Sequence, residues 1–458
     1  MADRCYRPQL FGFVALSLVM ALGLSACGPD NSSRSAKLAP LTPTPTPTMT
    51  PTPTATPTPG PAPQVCSGQS GAGQSLVGID PINNVGYAPL IALDGSGNAQ
   101  IEAVDLTVGT ANPLLATLSL SGASKTISTA YNPNNATMLV ETFLKNGGIG
   151  VFVIDTATKT VTGPVKATGL NSGFFGGILE DSIHNRAFVA GQTTIGILDT
   201  STTPPAWNAG SVVTTVATDS LSLNTSTGIL FIGAEGVNQI IDTTHTPLVP
   251  KSFDSTSGVT DGNAFDPATN ILAVTPEVGA DQTQVFNFAT LDTTVSPATA
   301  NNVTVPGLGE IPPKGEGPGG MAVINCVTHQ AVVADENGQN LKLLHLPTSP
   351  VPASTPLNNK GQPGSGTTAD AASAFTIAAT VIPRGPSSMQ LIIQGDPNSA
   401  TIDAAHNFFY ALALDFATAT TQFLVRIDLS TPVPPLGGSP TGITHWTPAG
   451  ATAVIKLP

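Results

Sequence analysis

Acidic side chains are scarce in this sequence, 29 Asp and Glu among 458 residues, yet several fall at matched distances behind a recurring turn signal. About eleven residues beyond the successive copies of that signal stand Asp94, Glu141, Gln192, Glu235, Glu277, Glu336 and Asp415. Six of these seven are acids. A second set, Asp219, Asp261 and Asn398, falls where innermost strands would begin. Carboxylate and carbonyl oxygens gathered on one rim suit a hard cation, so Glu235, Glu277, Asp261, Asp219 and Glu336 are candidate ligands for Ca²⁺ or Mg²⁺. The competing explanation is that an exposed strand end needs a polar residue. Asp94-Gly-Ser-Gly-Asn98 carries too few acids for a calcium loop and reads as a plain turn.

Other reactive side chains lack a constellation. His184, His329 and His406 all fall in the recurring turn, where turn chemistry explains them better than metal ligation. His345 stands where the repeat otherwise has Asp, and His245 and His445 lie in loops. No GxSxG elbow, P-loop or HExxH pattern occurs, and no Ser is placed beside a His, so no catalytic residue is assigned.

The elements that would position these groups repeat along the chain. The turn appears as Asp80-Pro-Ile-Asn-Asn84, Asn132-Pro-Asn-Asn135, Asp181-Ser-Ile-His-Asn185 and Asn224-Thr-Ser-Thr-Gly228. It continues as Asp266-Pro-Ala-Thr-Asn270, Asn325-Cys-Val-Thr-His329 and Asp403-Ala-Ala-His-Asn407. Asp and Asn bond their own backbone and tolerate positive φ, which makes each copy a turn. An apolar strand follows, then a third element ending in Ile or Val, Asp, and Thr or Leu, as in Ile154-Asp-Thr and Ile427-Asp-Leu. A weaker fourth strand often completes the unit. Seven such units without helical periodicity predict a seven-bladed β-propeller of four-stranded antiparallel blades over residues 66–458. Spacing widens late in the chain at the Pro/Gly/Ser-rich tracts 307–319, 347–373 and 431–450, read as surface excursions.

This grammar of Asp-Pro-x-x-Asn, apolar strand and Ile-Asp-Thr resembles the YVTN-repeat, or surface-layer-type, β-propellers and the lactonase-like propellers of the same architecture. The resemblance covers roughly residues 70–458. It implies the fold, and it leaves activity open because propellers host many functions.

The N-terminal region has a different logic. Arg4 and Arg7 precede an uncharged apolar run at 10–24, short for a membrane span but suited to a signal-peptide core. The run ends in Leu24-Ser25-Ala26-Cys27, which resembles the bacterial lipobox. That resemblance implies a leader over 1–26, removed after diacylglyceryl alkylation of the Cys27 thiol, and a membrane anchor without a membrane pass. Residues 27–65 are then a stalk: alternating Thr and Pro cannot bury a core, and a polyproline II course of some 35 residues would span on the order of 100 Å. With Cys5 lost and Cys27 lipidated, Cys66 and Cys326 are the remaining thiols, and an oxidising compartment favours their disulfide.

Charged residues make up 10% of the chain, against about 25% in typical domains. The net charge is −13, and removal of Asp3, Arg4 and Arg7 takes it to −14. Such a balance argues against nucleic acid and against attraction to anionic lipid. Two functional expectations follow. The first is a monomeric binding or scaffold module at the bacterial envelope, at the outer membrane or cell surface rather than the inner membrane, meeting a protein, glycan or cell-wall partner. The alternative is a metal-assisted lactonase- or lyase-type enzyme with its site at the channel mouth.

Overall fold

The computed structural model describes residues 77–107, 113–173, 177–234, 236–255, 260–276, 282–306, 322–335, 340–354, 380–381, 391–393, 400–415, 422–429 and 452–456. These form seven antiparallel sheets, each contiguous in sequence. Six sheets have four strands in chain order. The seventh has five, because its inner strand is split into Leu391–Ile393 and Ala400–Asp403, which both pair with Phe408–Asp415. The other inner strands are Gly78–Asp80, Ala123–Asn132, Gly177–Asp181, Thr218–Asn224, Thr260–Asp266 and Ala322–Asn325. Each inner strand touches the next, and Ala400–Asp403 touches Gly78–Asp80, so the sheets close a ring. The chain is a seven-bladed β-propeller.

Burial follows from this arrangement. Both faces of an inner or middle strand are covered by neighbouring blades, so Ala187, Phe188, Val189 and Ala190 are all inaccessible. Such strands read as continuous apolar runs rather than alternations. The outer strands Leu114–Leu120 and Ala206–Thr214 are largely exposed. Core residues accordingly gather at the junctions between blades. One cluster unites Val104 and Leu106 of the first blade with Tyr410, Leu412 and Leu424 of the seventh. That closing junction is also hydrogen-bonded: Arg426 Nη1 donates to Leu106 O at 2.8 Å and Ile91 N donates to Gln422 Oε1 at 2.7 Å. Ring closure therefore uses side chains, and among the described residues the first and seventh sheets share no strand.

The recurring turn joins the first and second strands of every blade. Its first residue is an inaccessible Asp or Asn: Asp80, Asn132, Asp181, Asn224, Asp266, Asn325 and Asp403. In five blades the carboxyl or amide oxygen accepts the N–H two residues on, as from Ile82 at 3.0 Å and Val327 at 2.9 Å. The fifth residue always takes positive φ, at Asn84, Ala136, Asn185, Gly228, Asn270, His329 and Asn407. Its carbonyl then accepts the backbone N–H of the residue that follows the Ile-Asp pair: Leu106, Thr156, Thr200, Thr243, Phe288, Leu346 or Leu429. In three blades that residue is Thr, and the Thr156 and Thr243 hydroxyls add second bonds to the same carbonyls. The Asp of the motif caps the chain leaving the third strand, as where Asp155 Oδ1 accepts from Ala157 N at 2.9 Å. The two repeated motifs are thus halves of one hydrogen-bonded joint.

Ala136 is the exception among these fifth residues. An L-residue in this region costs roughly 1–2 kcal/mol, and Ala has no polar side chain to offset it. Ala136→Gly is expected to stabilise the protein by about 1 kcal/mol, read as a rise in the denaturation midpoint with unchanged slope.

Candidate functional site

The ring has two faces. One carries the seven turns and the ends of the third strands. The other carries the connections between second and third strands, where the sequence places an acidic rim. Of the rim residues proposed as cation ligands, Glu235, Glu277 and Glu336 lie outside the described residues. Asp219 and Asp261 lie on the inner strands Thr218–Asn224 and Thr260–Asp266, which pack together. Asp219 is 3% exposed and has a bonding partner. Among the described residues no three His, Cys, Asp or Glu side chains are grouped to hold a metal ion.

Two members of the wider rim have other work. Asp94 folds its own loop: its carboxylate accepts from Ser119 Oγ at 2.6 Å and from Ser96 N, Asn98 N and Asn98 Nδ2 at 2.8 Å each. These bonds, that from Ser119 foremost, hold its carboxyl well below the ordinary range. Glu141 is a correction. It is no loop residue but lies within the strand Thr137–Leu144, fully buried, because that hairpin runs three residues further before turning. Its face, shared with Leu139 and Phe143, packs on the third blade against Ile178 and Val189.

The histidines are held as the turn reading requires. His184 Nδ1 lies 2.8 Å from Asp181 Oδ2, and His406 Nδ1 lies 2.7 Å from Asp403 Oδ2, each within its own turn. His329 instead reaches the preceding blade, with Nδ1 2.6 Å from Asp266 Oδ2. Turn-to-turn bonds of this kind recur around the ring. Asn134 Nδ2 donates to Ser182 O at 2.6 Å, Arg186 Nη1 to Thr243 O at 3.0 Å, and Asn325 Nδ2 to Asn407 Oδ1 at 2.6 Å.

Comparison with known proteins supports the architecture and no more. No family model and no curated protein matches the sequence. Among solved structures, the hydrazine synthase of Kuenenia stuttgartiensis is similar over 81% of this chain and 99% of its own, at 13% identity and a TM-score of 0.50. A chain of the mitotic checkpoint complex is similar over 83% of this chain and 95% of its own, at 12% identity and a TM-score of 0.47. At such identities the hydrazine synthase likeness is one of fold alone.

The unusual ionisable groups are inside the blades. Glu102, Glu141 and Glu180 are all buried. Burial raises each above the usual carboxylate range: Glu141 far above it, and Glu180 to about 8, with Thr200 opposing and the Asp181 charge adding to the rise. Neither oxygen of Glu141 has a hydrogen-bond partner, nor has Ser128 Oγ directly across the strand pair. Glu180 Oε1 accepts from Thr200 Oγ1 at 3.2 Å, while Oε2 is unbonded. Burial disfavours the charged form of all three, most strongly at Glu141, where no partner opposes it. Their sequence signal was available: each interrupts an apolar run, as in Ile101-Glu-Ala, Val140-Glu-Thr and Leu179-Glu-Asp.

A pH dependence follows from Glu180. It keeps its proton in the folded protein to about pH 8, whereas an ordinary Glu ionises near 4.5. Over that window the unfolded chain holds fewer protons, so this group's contribution to stability is full below about 4.5 and is lost as pH rises towards 8. Thermal unfolding at pH 5 and pH 8 is expected to show a lower melting temperature at pH 8. Glu180→Gln is expected to shrink that difference, and an undiminished difference would assign the slope elsewhere.

Proposed function

We propose that this protein is a lipid-anchored, extracytoplasmic propeller that acts as a binding or scaffold module at the bacterial cell envelope. The observation that carries the reading is the closed ring of seven blades. The first inner strand, Gly78–Asp80, runs towards its turn, so Gly78 stands on the face opposite the turns. The third strands Asn340–His345 and Gln422–Asp428 end on the turn face, where Thr452 pairs with Ile427, whereas Thr380 pairs with Lys342 towards the opposite face. Both faces of a closed propeller are built from turns and loops, which gives such a ring broad surfaces to meet a partner.

The remaining parts of the reading come from the sequence. The lipobox-like Leu24-Ser25-Ala26-Cys27 supports lipidation of Cys27, and the Thr-Pro tract supports a spacer between membrane and ring. The turn and Ile-Asp-Thr motifs support kinship with YVTN-type propellers. Cys326, second residue of the sixth turn, is disulfide-bonded, which supports its pairing with Cys66, the other thiol left in the mature chain. Outer-membrane or surface display, a monomeric state and a protein, glycan or cell-wall partner complete the proposal.

Metabolic labelling with an alkyne fatty acid tests the anchor. The wild-type chain is expected to carry label and to sediment with membranes, and Cys27→Ser is expected to abolish the label and leave the leader uncleaved. Label retained on Cys27→Ser would sink the assignment.

A further inference from the structure

The turn face exposes a different surface from the opposite face. Ten large aliphatic side chains are exposed among the described residues, and seven are on the turn face. Ile82, Ile183 and Val327 share one position, the third residue of the turn, with exposures of 52%, 60% and 41%. Turns are normally polar at such tips, and none of the three side chains is needed for the turn's own hydrogen bonds. Further out, Leu114 and Leu115 open the outer strand of the first blade, and Val249 and Val295 precede those of the fourth and fifth.

Acids accompany this apolar surface. Asp105, Asp155, Asp199, Asp242 and Asp428 each close a third strand, so they lie on the same face, one to a blade. Asp155, Asp199 and Asp242 are exposed. Hydrogen bonds from the Thr158 backbone and the Ser201 hydroxyl hold Asp155 and Asp199 below the usual carboxylate range, so both stay charged. Two cations share this side: Arg186 is held by Asp181 at 2.9 Å, and Lys159 lies beside Asp155 and Asp80, which leaves acids in excess.

This charge selects the occupant. A second copy of the chain would bring one set of acids against another, and an anionic bilayer would be repelled in the same way. We propose that the turn face docks a polypeptide whose aliphatic side chains are framed by Lys and Arg. This rests on the binding-module reading and names its surface and its class of partner. Ile82, Ile183 and Val327 would supply the apolar contact, and Asp155, Asp199 and Asp242 the steering and selectivity.

The test uses the mature lipidated chain in nanodiscs of zwitterionic lipid, with empty discs as control. The probes are two fluorescent helical peptides of about 18 residues with identical Leu faces, one otherwise Lys and one otherwise Glu. Anisotropy should show saturable binding of the Lys peptide that weakens with salt, and none of the Glu peptide. The charge-neutral triple change Ile82→Ser, Ile183→Ser, Val327→Ser should weaken binding roughly tenfold or more. The matched triple on the opposite face, Ile91→Ser, Leu93→Ser, Val237→Ser, should leave it unchanged. Equal effects of the two triples, or absent binding to the wild type, would overturn the proposal while leaving the Cys27 anchor standing. Dimers in light scattering would make a second copy the occupant and overturn it too. Should the turn triple fail to melt like wild type, Asp155→Asn with Asp199→Asn decides alone: an unaltered salt dependence refutes the proposal.

Discussion

Every blade depends on one joint: a buried Asp or Asn at the end of the inner strand, a fifth turn residue in the left-handed region, and a backbone bond from the end of the third strand to that residue's carbonyl. The buried side chain must find partners, because an unbonded polar group away from water costs about 1–3 kcal/mol. It finds them in its own turn and, at Asn224 and Asn325, also in the turn of the next blade, while Asn132 Nδ2 and Asp181 Oδ1 are left unbonded. The joint thereby fixes how three strands of a blade meet, and its exposed outer parts touch the next blade. Asn134 reaching Ser182 and His329 reaching Asp266 show that one local device also sets the spacing of the ring.

The blades need the ring as much as the ring needs the blades. A single four-stranded sheet with both faces apolar has no stable existence in water, and only radial packing covers both sides. Closure is therefore the critical step, and here the first and last sheets meet through packed side chains and bonds from Arg426 and Gln422 rather than through a shared strand. The same dense junctions trap carboxyls. Glu141 sits among aliphatic side chains with no partner, a destabilising arrangement that proteins seldom retain.

The two faces of the disc are chemically unequal. Turn joints consume the inner acids and histidines, so what the turn face offers is its aliphatic tips and the acids that cap the third strands. Function in a propeller lies in such face-to-face differences, since the strands between them are occupied with packing.

Much of this was legible in the sequence because turn chemistry is local. Seven copies of an Asx-led turn and an Ile-Asp-Thr strand end were enough to count the blades, and the backbone conformations they demand involve only near neighbours. The proposed anchor and stalk rest on the sequence alone, on a short apolar run, a cysteine and a proline tract. Residue-level placement was not legible. Glu141 read as a loop acid because its hairpin length is set by packing against the third blade, which no count along the chain reveals. The pairing of Arg426 with Leu106, some 320 residues apart, likewise exists only once the ring is closed. Motif spacing determined the repeat, and tertiary burial decided which carboxyls became neutral, which became caps, and which were left facing water.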